Sequence, residues 1–272
     1  MLLYVVLGLR ARTNTSPLCA GDTDAVVNIT SYGYRTKRVY LAIESIARGR
    51  VLPARIILWL DAEDWEAGRN RRSIRRLVAR GLEVRQGVKE YRAHNKYFHF
   101  ARSSDAGFLV TADDDVFYPR NWLAALWRVF DEGGRREVVA HWVRHPLVID
   151  DDLAPSWNWN NARDTKPRVG PFTLGVSGVI FPPTLRRAVS ELGTRFLESS
   201  ALNDDVWISW NALRVATPVR QCEDKPLSAL VIPFTQKYQL AHENIHNRQT
   251  ELQLRATYGR ADIKRIESLE QG

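Results

Sequence analysis

Residues 108–119, FLVTADDDVFYP, decide how the chain is read. The first five are apolar and partly β-branched, which is the pattern of a short buried strand. The run ends abruptly in three adjacent carboxylates, Asp113, Asp114 and Asp115, and Pro119 then opens a helix predicted through Phe130. In open α/β sheets, ligands bind beyond the carboxyl ends of the strands. Three acids placed there repel one another unless a cation joins them. Hard oxygen ligands suit Mg²⁺ or Mn²⁺, ions that keep coordination positions open for substrate phosphates. Asp113 and Asp115 fall on similar sides of an extended segment, so both can serve one metal ion. The competing reading is a solvated acidic turn that caps the following helix.

Upstream of the triplet the pattern alternates. Residues 26–31 (VVNITS) form a strand that ends at Tyr32-Gly33. Thr36 caps a predicted helix to about Arg48, with Val39, Ile43 and Ile46 on its apolar face and Gly49 as its stop. Residues 55–60 (RIILWL) form a buried strand that ends in Asp61, and residues 70–80 an arginine-rich amphipathic helix closed by Gly81. A third strand at 82–85 and a helix at 94–102 lead to the strand of the opening stretch. Alternating βα units of this length predict a Rossmann-like, mixed but mostly parallel sheet flanked by helices.

Downstream the character changes. A strand is predicted at 138–143, then residues 144–171 show no period and carry Trp157 and Trp159. A second triplet, Asp150-Asp151-Asp152, opens into this aperiodic stretch and reads as an exposed loop edge. A strand at 179–181, helices from Thr184 and over 204–215, and a strand at 230–233 precede a polar, partly helical tail. No linker interrupts the chain, so a single domain over 1–272 is expected, with a first half over about 26–143, a second over about 144–240 and a tail over 241–272.

The composition is that of a globular protein. The 272 residues are 44% hydrophobic and 26% charged, which excludes disorder, collagen and coiled coil. Residues 1–9 are apolar but far too few to cross a bilayer, and no basic segment precedes them, so a strand, helix or arm is expected rather than a signal peptide. Lys and Arg outnumber acids by 39 to 31, giving a net charge of +8 that attracts anions without choosing among nucleic acid, acidic lipid and phosphorylated small molecules. Cys19 and Cys222 are too few for a disulfide framework, which makes a reducing compartment the default and leaves one bridge open.

Taken in order, VVNITSYGYR (26–35), KRVYLAIESI (37–46), RIILWLD (55–61), GLEV (81–84), HNKYF (94–98), VTADDDVFYP (110–119), GVSGVIFPP (175–183) and NDDVWIS (203–209) resemble bacterial family 2-like glycosyltransferases of the GT-A type, which build capsule and related surface polysaccharides. The chain departs from the family's pattern at Gly33, where a proline is common. The resemblance implies a metal-dependent, inverting, hexosyltransferase-like enzyme. It would move sugar from a nucleotide-diphosphate donor to a saccharide or lipid-linked saccharide hydroxyl.

The resemblance also implies roles for particular residues. Asp113 and Asp115 would hold Mn²⁺ or Mg²⁺, joined by one C-terminal histidine, His242, with His246 in reserve. Asp114 would face the ribose or donor sugar. Thr30, Ser31, Tyr32 and Arg35 would lie beside the nucleotide. Tyr32 would stack on the base or simply pack, and Asp61 would meet a uracil or guanine edge or simply end its strand. Lys96 would face the diphosphate as a point charge or stand solvated on its helix. Gly175 and Gly178 would let the backbone approach the donor sugar. Asp205 would be the base that takes the acceptor's proton, with Asp204 supporting acceptor or metal. The same two acids, at a predicted helix start, would otherwise serve as its cap. Trp157, Trp159 and Trp207 would offer flat faces to the acceptor sugar, with Trp210 in the core.

Three other patterns carry less. HENIH at 242–246 matches the H-E-x-x-H zinc pattern, but no apolar helix surrounds it. A sugar nucleotidyltransferase would share sheet and carboxylates, but SYGYR is a poor version of its phosphate loop. A nucleic-acid-binding role would use the arginines of 69–80, yet these read as one solvated helix face without a recognised motif, so no nucleic-acid partner is expected. A cytoplasmic enzyme is expected, peripheral to the inner membrane face through its basic surface, especially Arg69 to Arg80.

Overall fold

The structure is a computed structural model that describes residues 2–227, 229–235 and 249–270. The chain forms two compact units, Met1–Arg128 with Ser228–Gln239, and Val129–Leu227 with Leu240–Gly272.

The first unit is built on four parallel strands, β1 (Ala25–Ser31), β2 (Arg55–Leu60), β3 (Leu82–Gln86) and β4 (Phe108–Ala112), side by side in the order β4-β1-β2-β3. Parallel strands need crossovers, and helices supply them: α1 (Leu2–Thr13) precedes the sheet, and α2 (Val39–Ile46), α3 (Trp65–Arg69), α4 (Arg72–Val78) and α5 (Asn95–Arg102) connect it. Strand β1 is central and buried on both faces, which explains its apolar run. Its one polar residue in mid-strand, Asn28, is satisfied: its amide donates to the Val26 carbonyl and accepts from Trp59 Nε1 at 2.8 Å. A second core gathers Leu7 of α1, Leu41 and Ala42 of α2, Phe117 and Ile232.

Several expectations are corrected in this unit. The helix expected from Thr36 starts later. Gly33, at φ +54°, turns the chain into a 3-10 segment, Gly33–Lys37, and α2 follows at Val39. Thr36 does not cap it; its buried hydroxyl donates to the Gly33 carbonyl. The arginine-rich helix is shorter than 70–80, and its last arginine is not solvated. Arg80 is buried against the fully buried Glu44, which also accepts from Arg10. The helix after Pro119 begins at Trp122 (α6, Trp122–Glu132), because residues 116–117 form a strand, β5 (Val116–Phe117), paired antiparallel with Leu230–Val231.

The second unit holds β6 (Val138–Ala140) between β12 (Val179–Ile180), antiparallel to it, and β13 (Val219–Gln221), parallel to it. The strand expected at 138–143 is two strands, since β7 (Val143–His145) leaves to pair with β10 (Asn160–Asn161) and β11 (Phe172–Thr173). A hairpin of β8 (Val148–Ile149) and β9 (Asp152–Leu153) fills part of the aperiodic stretch. Helices α7 (Pro183–Glu191), α8 (Phe196–Ser199) and α9 (Asp204–Arg214) come next in the chain, and the tail folds as α10 (Gln249–Thr257) and α11 (Arg260–Glu270). One apolar cluster joins Leu153, Trp159 and Phe172 to Val206, Leu254 and Ile266, so the stretch without period is organised by core contacts rather than by its own pattern.

The mixed, mostly parallel α/β architecture expected from the alternation is the one found. Among the described residues no helix is long and apolar enough to cross a membrane. Cys19 and Cys222 are free, so the bridge left open by the sequence is not made.

Candidate active site

Strands β1 and β4 are neighbours with Ile29 opposite Ala112, so their carboxyl ends lie together. The segments leaving the two strands therefore meet: Ser31 and the 3-10 segment after β1, and the aspartate triplet after β4. The backbone of the triplet is pinned at both ends. The Asp113 N–H donates to the buried Tyr118 hydroxyl at 2.7 Å, and the Asp115 carbonyl accepts from the Ile232 N–H at 2.7 Å.

The three carboxylates then take separate partners. Asp113, with 27% of its side chain exposed, accepts from Lys96 Nζ at 2.8 Å. Lys96 is carried by α5 and is 4% exposed, so it is not a solvated helix lysine. Asp114, also 4% exposed, accepts from the Ser31 hydroxyl at 2.5 Å and from Arg35 Nη1 at 3.0 Å. Asp115 faces the other arm of Arg35, Nη2, at 3.0 Å. One guanidinium thus bridges two adjacent acids, a geometry that its planar fork allows and an ammonium does not.

The electrostatics reflect burial. Desolvation pushes the Asp114 carboxyl up, against the pull of Arg35 and Ser31. Asp115 is pushed up to about 7, first by burial and then by the neighbouring Asp114 charge, with Arg35 opposing. Burial works against the charge on Arg35, but Asp114 and Asp115 outweigh it and hold the guanidinium protonated. Among the described residues, the three carboxylates are thus gathered around two cations, Arg35 and Lys96.

The hard oxygen donor set of three adjacent carboxylates fits a divalent cation held by one or two of them together with substrate phosphates. Among the described residues no group of three His, Cys, Asp or Glu side chains is placed to hold a metal ion. His242 and His246 lie outside the described residues.

At the ends of β1 and β2 a cavity of about 450 Å³ is lined by Tyr32, Gly33, Asp61, Asp64, Lys89 and Arg92, among others. Burial pushes the Asp61 carboxyl up, and the Asp64 and Glu63 charges add to it. Asp64 accepts from the Gly33 N–H and so ties the turn after β1 to the segment after β2. Arg92 stands at φ 45°, a left-handed backbone that an L-residue adopts rarely. Sequence reasoning misses both Asp64 and Arg92. Asp64 carries one local signal, its place three residues beyond the strand-end Asp61, whereas Arg92 carries none. Thr30 does not join this group; its hydroxyl donates to the Trp59 carbonyl of β2 at 3.3 Å.

The second unit holds the other predicted residues. Gly175 opens a 3-10 turn, Gly175–Ser177, and Gly178 comes after it at φ 96°, which glycine takes without strain. The Gly175 N–H donates to Asp205 Oδ1 at 2.8 Å, so Asp205 joins the glycine turn to α9. Helix α9 is capped by Asn203, whose Oδ1 accepts from the N–H groups of Asp205 and Val206. The cap alternative for the acid pair is thereby corrected: neither Asp204, which is buried, nor Asp205 is the cap.

Two of the tryptophans expected at the acceptor are core residues. Trp159 is 3% exposed, donates Nε1 to the Ala154 carbonyl and packs edge-on against Phe172. Trp207 is 2% exposed and lies against Phe196 and Trp210. Neither offers a face to a sugar. Trp210, expected in the core, is only half-buried, with Arg214 over its ring and Nε1 donating to Asp262. Trp157 is 59% exposed and keeps its flat face accessible.

No protein-family model matches the chain, and no curated protein matches it in sequence. Solved structures do. A mannosyltransferase from Pyrobaculum calidifontis, in complex with GDP-Man and Mn²⁺, aligns over 99% of this chain and 75% of its own, at 15% identity and a TM-score of 0.57. Residues 1–349 of TarS from S. aureus align over 90% of this chain and 69% of theirs, at 15% identity and a TM-score of 0.50. The fold defined by these strands and their crossovers is the GT-A glycosyltransferase fold.

Proposed function

We propose that the chain is a metal-dependent, inverting glycosyltransferase that moves a hexosyl group from a nucleotide-diphosphate donor to a saccharide or lipid-linked saccharide hydroxyl, in surface polysaccharide or glycoconjugate synthesis. The observation that carries this reading is the aspartate triplet at the end of β4, Asp114 and Asp115 buried and Asp113 partly exposed, with Ser31, Arg35 and Lys96 already turned onto it. Likeness to a mannosyltransferase that holds GDP-Man and Mn²⁺ supports a nucleotide-diphosphate donor and a divalent ion.

Asp113 and Asp115 would hold Mn²⁺ or Mg²⁺. When bound, that ion would stabilise the charge of the diphosphate leaving group. Lys96 would add a fixed positive charge beside it, already desolvated and oriented by Asp113. Asp114 holds Arg35 in place and so keeps the turn after β1 positioned. The cavity lined by Tyr32 and Asp61 would take the nucleoside. Asp205 would accept the acceptor's proton, its carboxylate oriented by the Gly175 N–H. Gly175 and Gly178 would lie beside the donor sugar, and Trp157 would stack on the acceptor. A cytoplasmic location is inferred from the donor class, and the net charge of +8 supports contact with an anionic inner membrane face.

Thermal melting with GDP, UDP, ADP and CDP, each with and without Mn²⁺, tests the reading. One nucleoside diphosphate should raise the melting temperature only when metal is present, and its sugar donor should be slowly hydrolysed without acceptor. Pyrophosphate exchange in place of donor hydrolysis would instead establish a nucleotidyltransferase.

A further inference from the structure

Residues 2–9 of helix α1 are apolar around the whole circumference, and Arg10 and Arg12 follow in its last turn. Its inner face packs Leu3, Tyr4 and Leu7 against Leu41, Ala42 and Ile232. Its outer face carries Leu2, Val5, Val6 and Leu9, each about half exposed or more. These four fall at i, i+3, i+4 and i+7, a continuous stripe on one side of the helix, and the stripe runs on to the exposed Arg12. A contiguous exposed apolar stripe of this kind marks an interaction surface.

Arg12 also lines a cavity of about 580 Å³ between α1, α2 and α4, together with Tyr40, Arg72, Ser73 and Arg76. No acid lines it. Among the described residues, none of Arg12, Arg72 and Arg76 is in an ion pair, while the buried acid in this region, Glu44, is already held by Arg10 and Arg80. The cavity is therefore a concentration of positive charge with hydroxyl donors and no internal counter-ion.

We propose that this surface docks the protein onto an anionic lipid bilayer. The stripe of α1 lies in the interface, and Arg12, Arg72 and Arg76 take lipid phosphates. The two halves of the surface choose the partner together. A nucleic acid or a soluble phosphate would use the arginines but leave the exposed leucines and valines in water. A second copy of the chain would cover the stripe but bring no anion to the cavity. An anionic bilayer supplies both apolar depth and headgroup phosphate at one level, which is how interfacial helices bind. The proposal rests on the membrane contact expected of the basic surface around Arg69 to Arg80, from which the buried Arg80 drops out, and adds to it Arg12 and the apolar stripe of α1. It uses no residue of the aspartate triplet.

Flotation of the full chain with phosphatidylcholine vesicles, with and without about one third phosphatidylglycerol, tests it. The parent protein should float with the anionic vesicles at about 50 mM salt and much less at about 500 mM. The pair Arg72→Glu and Arg76→Glu should lower the bound fraction about tenfold or more, and the pair Val5→Ser and Leu9→Ser about fivefold, even at low salt. All four positions are exposed or half-buried, and unchanged melting temperatures and donor hydrolysis would show both variants intact. Flotation of parent and variants alike would move the contact elsewhere and overturn this surface. Failure of the parent to float would overturn both the surface and the membrane reading. A dimer that the Val5→Ser and Leu9→Ser variant dissociates without losing flotation would assign the stripe to self-association. Stabilisation by inorganic phosphate without flotation would assign the cavity to a soluble anion. Either result overturns the proposal.

Discussion

Residues 113–115 and 150–152 are both Asp-Asp-Asp, each preceded by apolar strand residues, and the two triplets end in opposite environments. The first leaves the carboxyl end of an inner parallel strand. Its side chains are turned onto Arg35, Ser31 and Lys96, which come from three other elements, and its backbone is held by Tyr118 and Ile232. The second forms the tip of the β8–β9 hairpin. Asp150 and Asp151 take φ values of 52° and 59°, the left-handed pair that a tight two-residue hairpin requires and that Asp tolerates better than most residues. Its side chains stand exposed, and Asp152 accepts from its neighbour's N–H, that of Leu153, and lies 3.8 Å from Arg255. Carboxylates alone therefore do not make a site. A parallel sheet brings several strand ends together and desolvates the residues just beyond them, whereas a hairpin tip returns its residues to water.

The sharpest way to break this comparison is to neutralise both triplets. Asp113→Asn or Asp115→Asn should lower donor hydrolysis by a factor of about 10² or more, and the same change at Asp151 should leave it within about twofold. Comparable losses at both would end the distinction. Asp205→Asn should also lower turnover by about 10², at nearly unchanged stability, because the amide oxygen still accepts from Gly175. A fall in melting temperature without loss of turnover would make Asp205 structural only.

The ion pairs of the two triplets should differ almost as much. Arg35→Ala leaves Asp114 and Asp115 buried without their shared partner and should cost about 3–5 kcal/mol in urea unfolding. Arg255→Ala breaks an exposed pair with Asp152 and should cost less than about 1 kcal/mol.

Between these extremes stands Asp105, half-buried and bonded to Arg85. The Arg85 hydrogen bond, then Ser103 and the Arg85 and Arg55 charges, hold its carboxyl down at about 2. The folded value lies below the ordinary one, so its stabilising contribution is complete above about pH 4 and is lost as pH falls towards 2. The melting temperature should drop over that interval, and Asp105→Asn should flatten the drop. The smallest effect is expected at the hairpin tip, where Asp151→Gly relieves left-handed backbone and should add at most about 1 kcal/mol.

Much of the first unit was legible in the amino-acid order. Apolar runs of strand length alternating with helical periods are local properties, and they placed β1 to β4, a helix in each crossover though not α3 or the exact bounds of α2 and α4, and the aspartates at a strand end. Gly33 announced its turn, because few other residues take its backbone angles without strain. Of the candidate site, the triplet was legible as residue types, and Ser31, Arg35 and Lys96 were named through the family resemblance, but none of the pairings was.

Which acid meets which cation was decided by the tertiary structure, since Ser31 and Asp114 are 83 residues apart and Arg35 and Asp114 are 79 apart. The same holds for Arg80, whose place in an arginine-rich run says solvent until Glu44 of another helix is packed beneath it. It holds for Trp157 and Trp159, two residues apart in one loop, of which one is exposed and the other sealed against Phe172. Local sequence determines backbone propensity and amphipathic period, because those depend on neighbours within a turn or two. Burial, and with it the charge state and chemistry of an identical side chain, depends on elements distant in the chain, and only the folded arrangement brings them together.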